Sequence, residues 1–181
     1  MSGHIEQQQT WARISELVTL RDDVQAAERT FAGKANALGF AMRVPERNRK
    51  YLNVVEWVKA SLSPISLLTK SFTTVLERLR SSKTTTRTAK KLQKITEQVV
   101  FWGGVLNGLT KAMTATTPCG AVLAVANVEA SLLLKAMKLR KLDRIEALET
   151  AMDYYWNASL EFRRLCPAVV VELNSEIDQS R

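Results

Sequence analysis

The sequence predicts an all-α protein, an antiparallel bundle of five to six helices, and three observations carry that prediction. Apolar residues recur at alternating spacings of three and four along most of the chain. Only 7 Gly and 4 Pro interrupt 181 residues, and no stretch alternates apolar and polar as a half-buried strand does. Ala, Leu, Lys, Arg, Glu and Gln fill the segments between, so local preference is helical almost throughout. The length suits one domain over residues 1–181. The 46% hydrophobic and 24% charged composition is that of a chain that folds rather than one that stays disordered.

The first segment, from about Gln7 to Arg43, sets Leu17, Leu20, Val24, Ala27, Phe31, Lys34 and Leu38 on one side of a helix. Val44-Pro45 ends it, because the residue before a proline is pushed out of the α region, and PERNRK follows as a loop. The second segment, Tyr51 to Arg80, carries Val55, Val58, Leu62, Ile65, Leu68, Phe72, Val75 and Leu79 on one face. Pro64 lies inside it and predicts a kink or break at SLSP, with Ser63 capping a restarted helix. Residues 81–88, SSKTTTRT, have no apolar member and read as an exposed flexible loop.

The third segment has the most regular seam: Leu92, Ile95, Val99, Trp102, Leu106, Leu109 and Met113, spaced 3, 4, 3, 4, 3 and 4. Placed in the core, Trp102 would cost about 3 to 5 kcal/mol on truncation to alanine. Gly103, Gly104 and Gly108 each weaken the helix by about 1 kcal/mol relative to alanine, and close approach of a neighbouring helix is the expected compensation. TATTPCG, 114–120, is a turn in which Thr117 caps a fourth helix with Pro118 at its first position. That helix runs to about Leu142 and ends in the cation-rich KAMKLRKLDR, a favourable charge at a helix C-terminus. A fifth, from about Asp143 to Leu165, carries Ile145, Leu148, Met152, Tyr155, Ser159 and Phe162. Cys166-Pro167 is expected to stop it, with AVVVELNSEIDQ as a short tail helix.

Residues 101–134 are the most apolar stretch, and they pose the choice between bilayer and core. A spanning helix needs about 20 consecutive apolar residues. Here Asn107 and Lys111 interrupt the first half, and Asn127 and Glu129 the second. A glutamate at the centre of a lipid-facing helix costs several kcal/mol, and the TTPCG turn would leave backbone groups unsatisfied in hydrocarbon. A buried central hairpin of a soluble bundle is the expectation, with triggered insertion into a bilayer as the alternative.

The chemistry of common enzymes is missing. The one histidine, His4, stands near the N-terminus, and no Gly-rich phosphate loop, HExxH or GxSxG occurs. No catalytic residue, cofactor site, metal site or small-molecule substrate is expected. Cys119 and Cys166 lie apart with no CxxC and read as buried free thiols. Glu146, Glu149 and Asp153 share a helix face and read as a solvated acidic face rather than a cation site. Asn157-Ala158-Ser159 matches the glycosylation sequon within a helical stretch and reads as chance. With no secretory signal in MSGHIEQQQTWARI, an intracellular, cytoplasmic location is expected, with peripheral membrane association open to it.

Charge is the informative bulk property. Residues 43–94 hold 13 Lys/Arg against 3 Asp/Glu, while residues 146–181 hold 3 against 7. That asymmetry favours a phosphate-bearing surface, an acidic partner, or contact between copies of the chain. Arg78, Arg80, Lys83, Arg87, Lys90, Lys91 and Lys94 form the candidate phosphate- or lipid-binding set. Nearby Phe72 and Trp102 fall on apolar seams, which leaves base stacking without platforms. Phosphorylation among Ser81, Ser82 and Thr84–Thr86 would reduce the positive field.

ITEQVVFWGGVLNGLTKAM, TTPCGAVLAVANVEASLLL and ALETAMDYYWNASLEF, within residues 95–166, resemble in their order the helical N-terminal, HeLo-like domains that precede the NACHT module in fungal immune-receptor-like proteins. The aromatic-glycine pair Trp102-Gly103 stands before the proline turn, whereas in that family it follows. The resemblance covers under half the chain, carries no catalytic residue, and implies a signalling or cell-death effector bundle. The sequence therefore points to a non-enzymatic interaction and self-association domain with protein partners, a homo-oligomer among them. A membrane-perturbing bundle that binds anionic lipid and a nucleic-acid-coating or packaging protein are the alternatives.

Overall fold

A computed structural model describes residues 2–43, 54–84, 86–114 and 141–181. Four helices lie in these residues: α1 (Ser2–Arg43), α2 (Val54–Ser81), α3 (Arg87–Thr114) and α4 (Lys141–Gln179). Side-chain pairs distant in sequence fix how they run. Arg13 of α1 donates to the Ser82 carbonyl just past α2, and Asp23 meets Arg78 at 3.3 Å, so residue numbers rise along α1 as they fall along α2. Thr69 against Gly103 and Arg80 with Glu97 at 3.2 Å give the same sense to α2 and α3. Thr88 donating to Glu172 at 2.6 Å and Trp102 beside Tyr154 do so for α3 and α4. Arg13 with Glu176 at 3.6 Å and Arg163 with Glu28 at 3.2 Å close the ring between α4 and α1. Each helix is antiparallel to both neighbours, the up-down-up-down order of a four-helix bundle.

The predicted seams supply the core. From α1 come Leu17, Leu20, Val24, Ala27, Phe31 and Leu38, all buried; half-buried Lys34 holds the polar place in that row, where an aliphatic stem can lie along apolar surface. Ile65, Leu68, Phe72, Val75 and Leu79 come from α2, and Leu92, Ile95, Val99 and Leu106 from α3. Met152, Tyr155, Ser159 and Phe162 come from α4. The side chains of Val55, Val58, Leu62, Leu109, Met113, Ile145 and Leu148 lie outside the described residues. The buried serine and threonine hydroxyls are satisfied within their own chain turns: Thr96 donates to the Leu92 carbonyl at 2.7 Å, Ser159 to the Tyr155 carbonyl at 2.7 Å and Ser82 to the Leu79 carbonyl at 3.2 Å.

Neither Pro64 nor Pro167 breaks its helix. Helix α2 runs through Pro64, and α4 runs through Pro167 to Gln179, so AVVVELNSEIDQ is the last part of α4 rather than a separate tail helix. An interior proline costs about 3 kcal/mol, since it removes a backbone donor and crowds the preceding turn. Past Pro167 the seam continues in register with Val169, Leu173 and Ile177, all buried, and each contributes about 1.5 to 3 kcal/mol by burial. Burial therefore exceeds the proline cost. Pro167 and Arg163 both lie on the exposed side of α4. With these continuities there are four helices among the described residues, against the five to six expected. The helix expected over 119–142 and the turn at 114–120 fall largely on residues outside the description, as does Cys119.

The loop expected over 81–88 is shorter, running from Ser82 to Thr86 between α2 and α3. It is also tied down at several points. Ser82 is buried, its amide donates to the Arg78 carbonyl at 2.9 Å and its hydroxyl meets that of Thr84. Lys83 takes a φ of 49°, the left-handed turn that ends α2, and Thr86 caps α3 by accepting the Ala89 amide at 3.2 Å.

Gly103 meets the expectation of a close helix approach. A Cβ there would stand 2.9 Å from Thr69 Cγ2 and closer still to Thr69 Oγ1. Thr69 donates to the Ile65 carbonyl at 2.7 Å, which holds its short branched side chain in place. Gly103→Ala is accordingly expected to lower stability by about 1 to 3 kcal/mol despite alanine's better helix propensity. Thr69→Ala in the same chain restores most of the loss; urea midpoints of the two single variants and the double variant measure the coupling.

Candidate basic interaction face

The seven predicted cations do not act as one set. Arg78 pairs with Asp23 at 3.3 Å across to α1, and Arg80 with Glu97 at 3.2 Å across to α3, so both guanidinium groups brace helix contacts. Lys83, Arg87, Lys90, Lys91 and Lys94 are exposed and make no ion pair among the described residues. At about 100° per residue, Arg87, Lys90, Lys91 and Lys94 fall within an arc of about 100° on α3. That arc is centred about 120° around the helix from the seam of Leu92, Ile95 and Val99, and its four side chains are exposed. The bundle end that carries Lys83 adds a fifth cation.

The row does not end in charge. Arg87, Lys94 and Phe101 stand one heptad apart on the same outward line, and Phe101 remains 37% exposed. Between α2 and α3 an open groove of about 600 Å³ is floored by Leu76, Val100 and Phe101 and rimmed by Arg80 and Lys94. Glu97 stands in this groove without leaving it acidic. Gln93, donating at 3.2 Å, and Arg80 satisfy its carboxylate, and with Lys94 nearby they hold its carboxyl below the usual range. Phe101 was not among the residues the sequence singled out. Its signal was there, one heptad past Lys94, but the seam residue next to it drew the aromatic assignment.

Of the predicted α3 packing set, Leu92, Ile95, Val99 and Leu106 are buried, and Trp102 is only partly so. Its ring lies flat on Tyr154, centroids 4.6 Å apart and planes 9° from parallel, with Phe101 edge-on at 5.1 Å. Tyr154 is 53% exposed, so this aromatic group forms the margin of the core between α3 and α4. The chain therefore does present exposed aromatics near the basic row, where the sequence placed aromatics on buried seams.

Groups with chemical capacity elsewhere are closed to solvent or dispersed. Among the described residues no three His, Cys, Asp or Glu side chains converge as metal ligands. Asp153 is exposed, and the side chains of Glu146 and Glu149 lie outside the description. The serine of the 157–159 sequon has a fully buried hydroxyl within α4. Cys166 is a buried free thiol pushed up to about 12 by burial, with the negative charge of Glu28 adding to the effect. Burial also drives the Tyr155 phenol well above its ordinary range. Thr69 opposes that shift only weakly, because the Tyr155 hydroxyl is near it but outside hydrogen-bonding geometry. No helix among the described residues is long and apolar enough to cross a membrane.

No family model, no curated protein and no solved structure compared with the chain matches it.

Two measurements follow from this geometry. Trp102→Ala is expected to cost about 1 to 3 kcal/mol, less than the 3 to 5 kcal/mol or so for Phe162→Ala, because only the latter empties a sealed site; denaturation midpoints compare them directly. The raised thiol and phenol pKa values give pH dependence of one sign. The unfolded chain loses the Cys166 proton near 9.0 and the folded chain only near 12, so stability is full below about pH 9 and falls as pH rises toward 12. Cys166→Ala is expected to flatten that decline, leaving the smaller part due to Tyr155.

Proposed function

We propose that the chain is a non-enzymatic helical interaction module whose working surface is the outer face of α3, and that this face recruits a negatively charged partner. The observation that carries this reading is the row Arg87, Lys90, Lys91 and Lys94, exposed and free of ion pairs among the described residues, beside Arg78 and Arg80, which are engaged. A row of like charge without ion pairs costs self-repulsion, which a partner of opposite sign relieves while its approach is accelerated. The resemblance of residues 95–166 to HeLo-like domains adds a signalling or cell-death effector role to this reading. Anionic lipid and nucleic acid would meet the same cations through phosphate.

A second reading is homotypic association, and α1 supplies its support. Arg13 lies level with the end of the bundle, against Ser82 and Glu176, and every residue from 5 to 12 is exposed beyond it. In that projecting segment Ile5 is 59% and Trp11 66% exposed. Burial of this segment between copies would make the chain a homo-oligomer, a state that native mass in solution reads directly.

Replacing Arg87, Lys90, Lys91 and Lys94 together with Glu is expected to leave the helical circular dichroism and thermal midpoint within a few degrees of the parent. The same change is expected to abolish binding to acidic peptide, anionic vesicles and DNA alike. Retention unchanged on all three would remove the basic face from the function.

A further inference from the structure

We infer that the groove between α2 and α3 is a docking site for an acidic amphipathic helix of a partner protein. The inference rests on the basic face being the working surface, and it names the chemistry of what that surface holds. Charge complementarity is the first argument. Lys94 lines the groove, Lys90 and Arg87 continue its row along α3 over about two helical turns, and the Glu97 carboxylate is paired with Arg80 and hydrogen-bonded by Gln93, so the net charge beside the groove is positive. Cations spaced i, i+3, i+4 and i+7 match the rise of carboxylates at the same spacing on a helix lying alongside.

The floor is the second argument. Exposed ion pairs contribute little each, so a partner that offered charge alone would be steered to this face without being held. Leu76, Val100 and Phe101 give the groove an apolar strip beside Lys94, with Gln98 and the Arg80–Glu97 pair completing the lining, and the complement of that surface is a helix with an apolar stripe bordered by acids. Phe101 is poised for this: its ring is braced edge-on by Trp102 while over a third of it faces solvent. A nucleic acid would satisfy the rim and leave the floor unused. An acyl chain in so open a groove would stay wetted along its length, whereas short branched side chains projecting from a helix fill a shallow trough.

The test uses the full chain and fluorescence anisotropy of labelled probes. The first probe is a synthetic peptide of about 18 residues with Leu at i, i+3, i+4 and i+7 and Glu flanking that stripe; the second is its scrambled isomer of equal charge. Phosphatidylserine/phosphatidylcholine vesicles and a DNA duplex of about 20 base pairs complete the set. The patterned peptide is expected to bind saturably, about tenfold or more tighter than the scrambled one. Phe101→Ser should weaken that binding about tenfold while lowering the thermal midpoint by only a few degrees, since over a third of the side chain is exposed and Trp102 stays in place, and the fourfold charge reversal should abolish it. Equal binding of both peptides, no effect of Phe101→Ser, or no saturable peptide binding overturns the docking site. If vesicles or DNA alone bind, and do so only with the basic row intact, the working face stands and the helical partner is wrong. Peptide binding that survives charge reversal overturns both readings.

Discussion

Phe72 and Phe162 meet edge to face, with ring centroids 4.8 Å apart, from helices α2 and α4 that are not neighbours in the ring. Their contact crosses the centre of the bundle, and both rings are fully buried. An aromatic pair in this geometry adds about 0.5 to 1.5 kcal/mol beyond the area it buries. More important, it fixes the rotation of α2 and α4, and α1 and α3 then fill the spaces between them. Phe31 extends the aromatic centre toward Trp156 at 5.6 Å. Because the inner face of α3 is committed to this core through Leu92, Ile95 and Val99, its outer face has no freedom either. The cations point outward because the leucine and its neighbours point in.

The same commitment sorts the surface charges. Arg13, Arg78, Arg80 and Arg163 reach acids on adjacent helices, while the α3 row makes no ion pair among the described residues. These pairs are partly exposed and each is worth at most about 1 kcal/mol, so they add little to the fold. Their effect on the distribution of surface charge is larger than their energetic one. They engage four guanidinium groups, while the row on α3, ending in an aromatic side chain and a groove, makes no ion pair among the described residues.

Much of the architecture was legible because helical periodicity is a local property. Leu92, Ile95 and Val99 could be assigned to a buried face from spacing alone, and so could Phe31, Phe72 and Phe162. The prolines were misleading for a reason that is also physical. Pro64 and Pro167 each weaken the helix locally, but whether the helix breaks depends on how much apolar surface the next turns can bury. The amount available past Pro167, through Val169, Leu173 and Ile177, is set by α1 and α3 rather than by the residues next to the proline. Trp102 shows the converse. Its position in the heptad was read correctly as facing inward, yet the bundle margin there is formed by Tyr154, and a half-covered ring results.

By itself the sequence determined the helical class, the inward faces, the close approach at Gly103 and the basic character of the middle of the chain, since each follows from residue type and from spacings within a turn or two. Only the tertiary structure decided which cations are engaged, that Phe101 lies open at the end of the basic row, and that α2 and α3 enclose a groove beside it. Those features depend on distances between residues such as Asp23 and Arg78, or Leu76 and Phe101, that no local periodicity encodes. They arise when four helices share one core and each must take the single rotation that buries its seam.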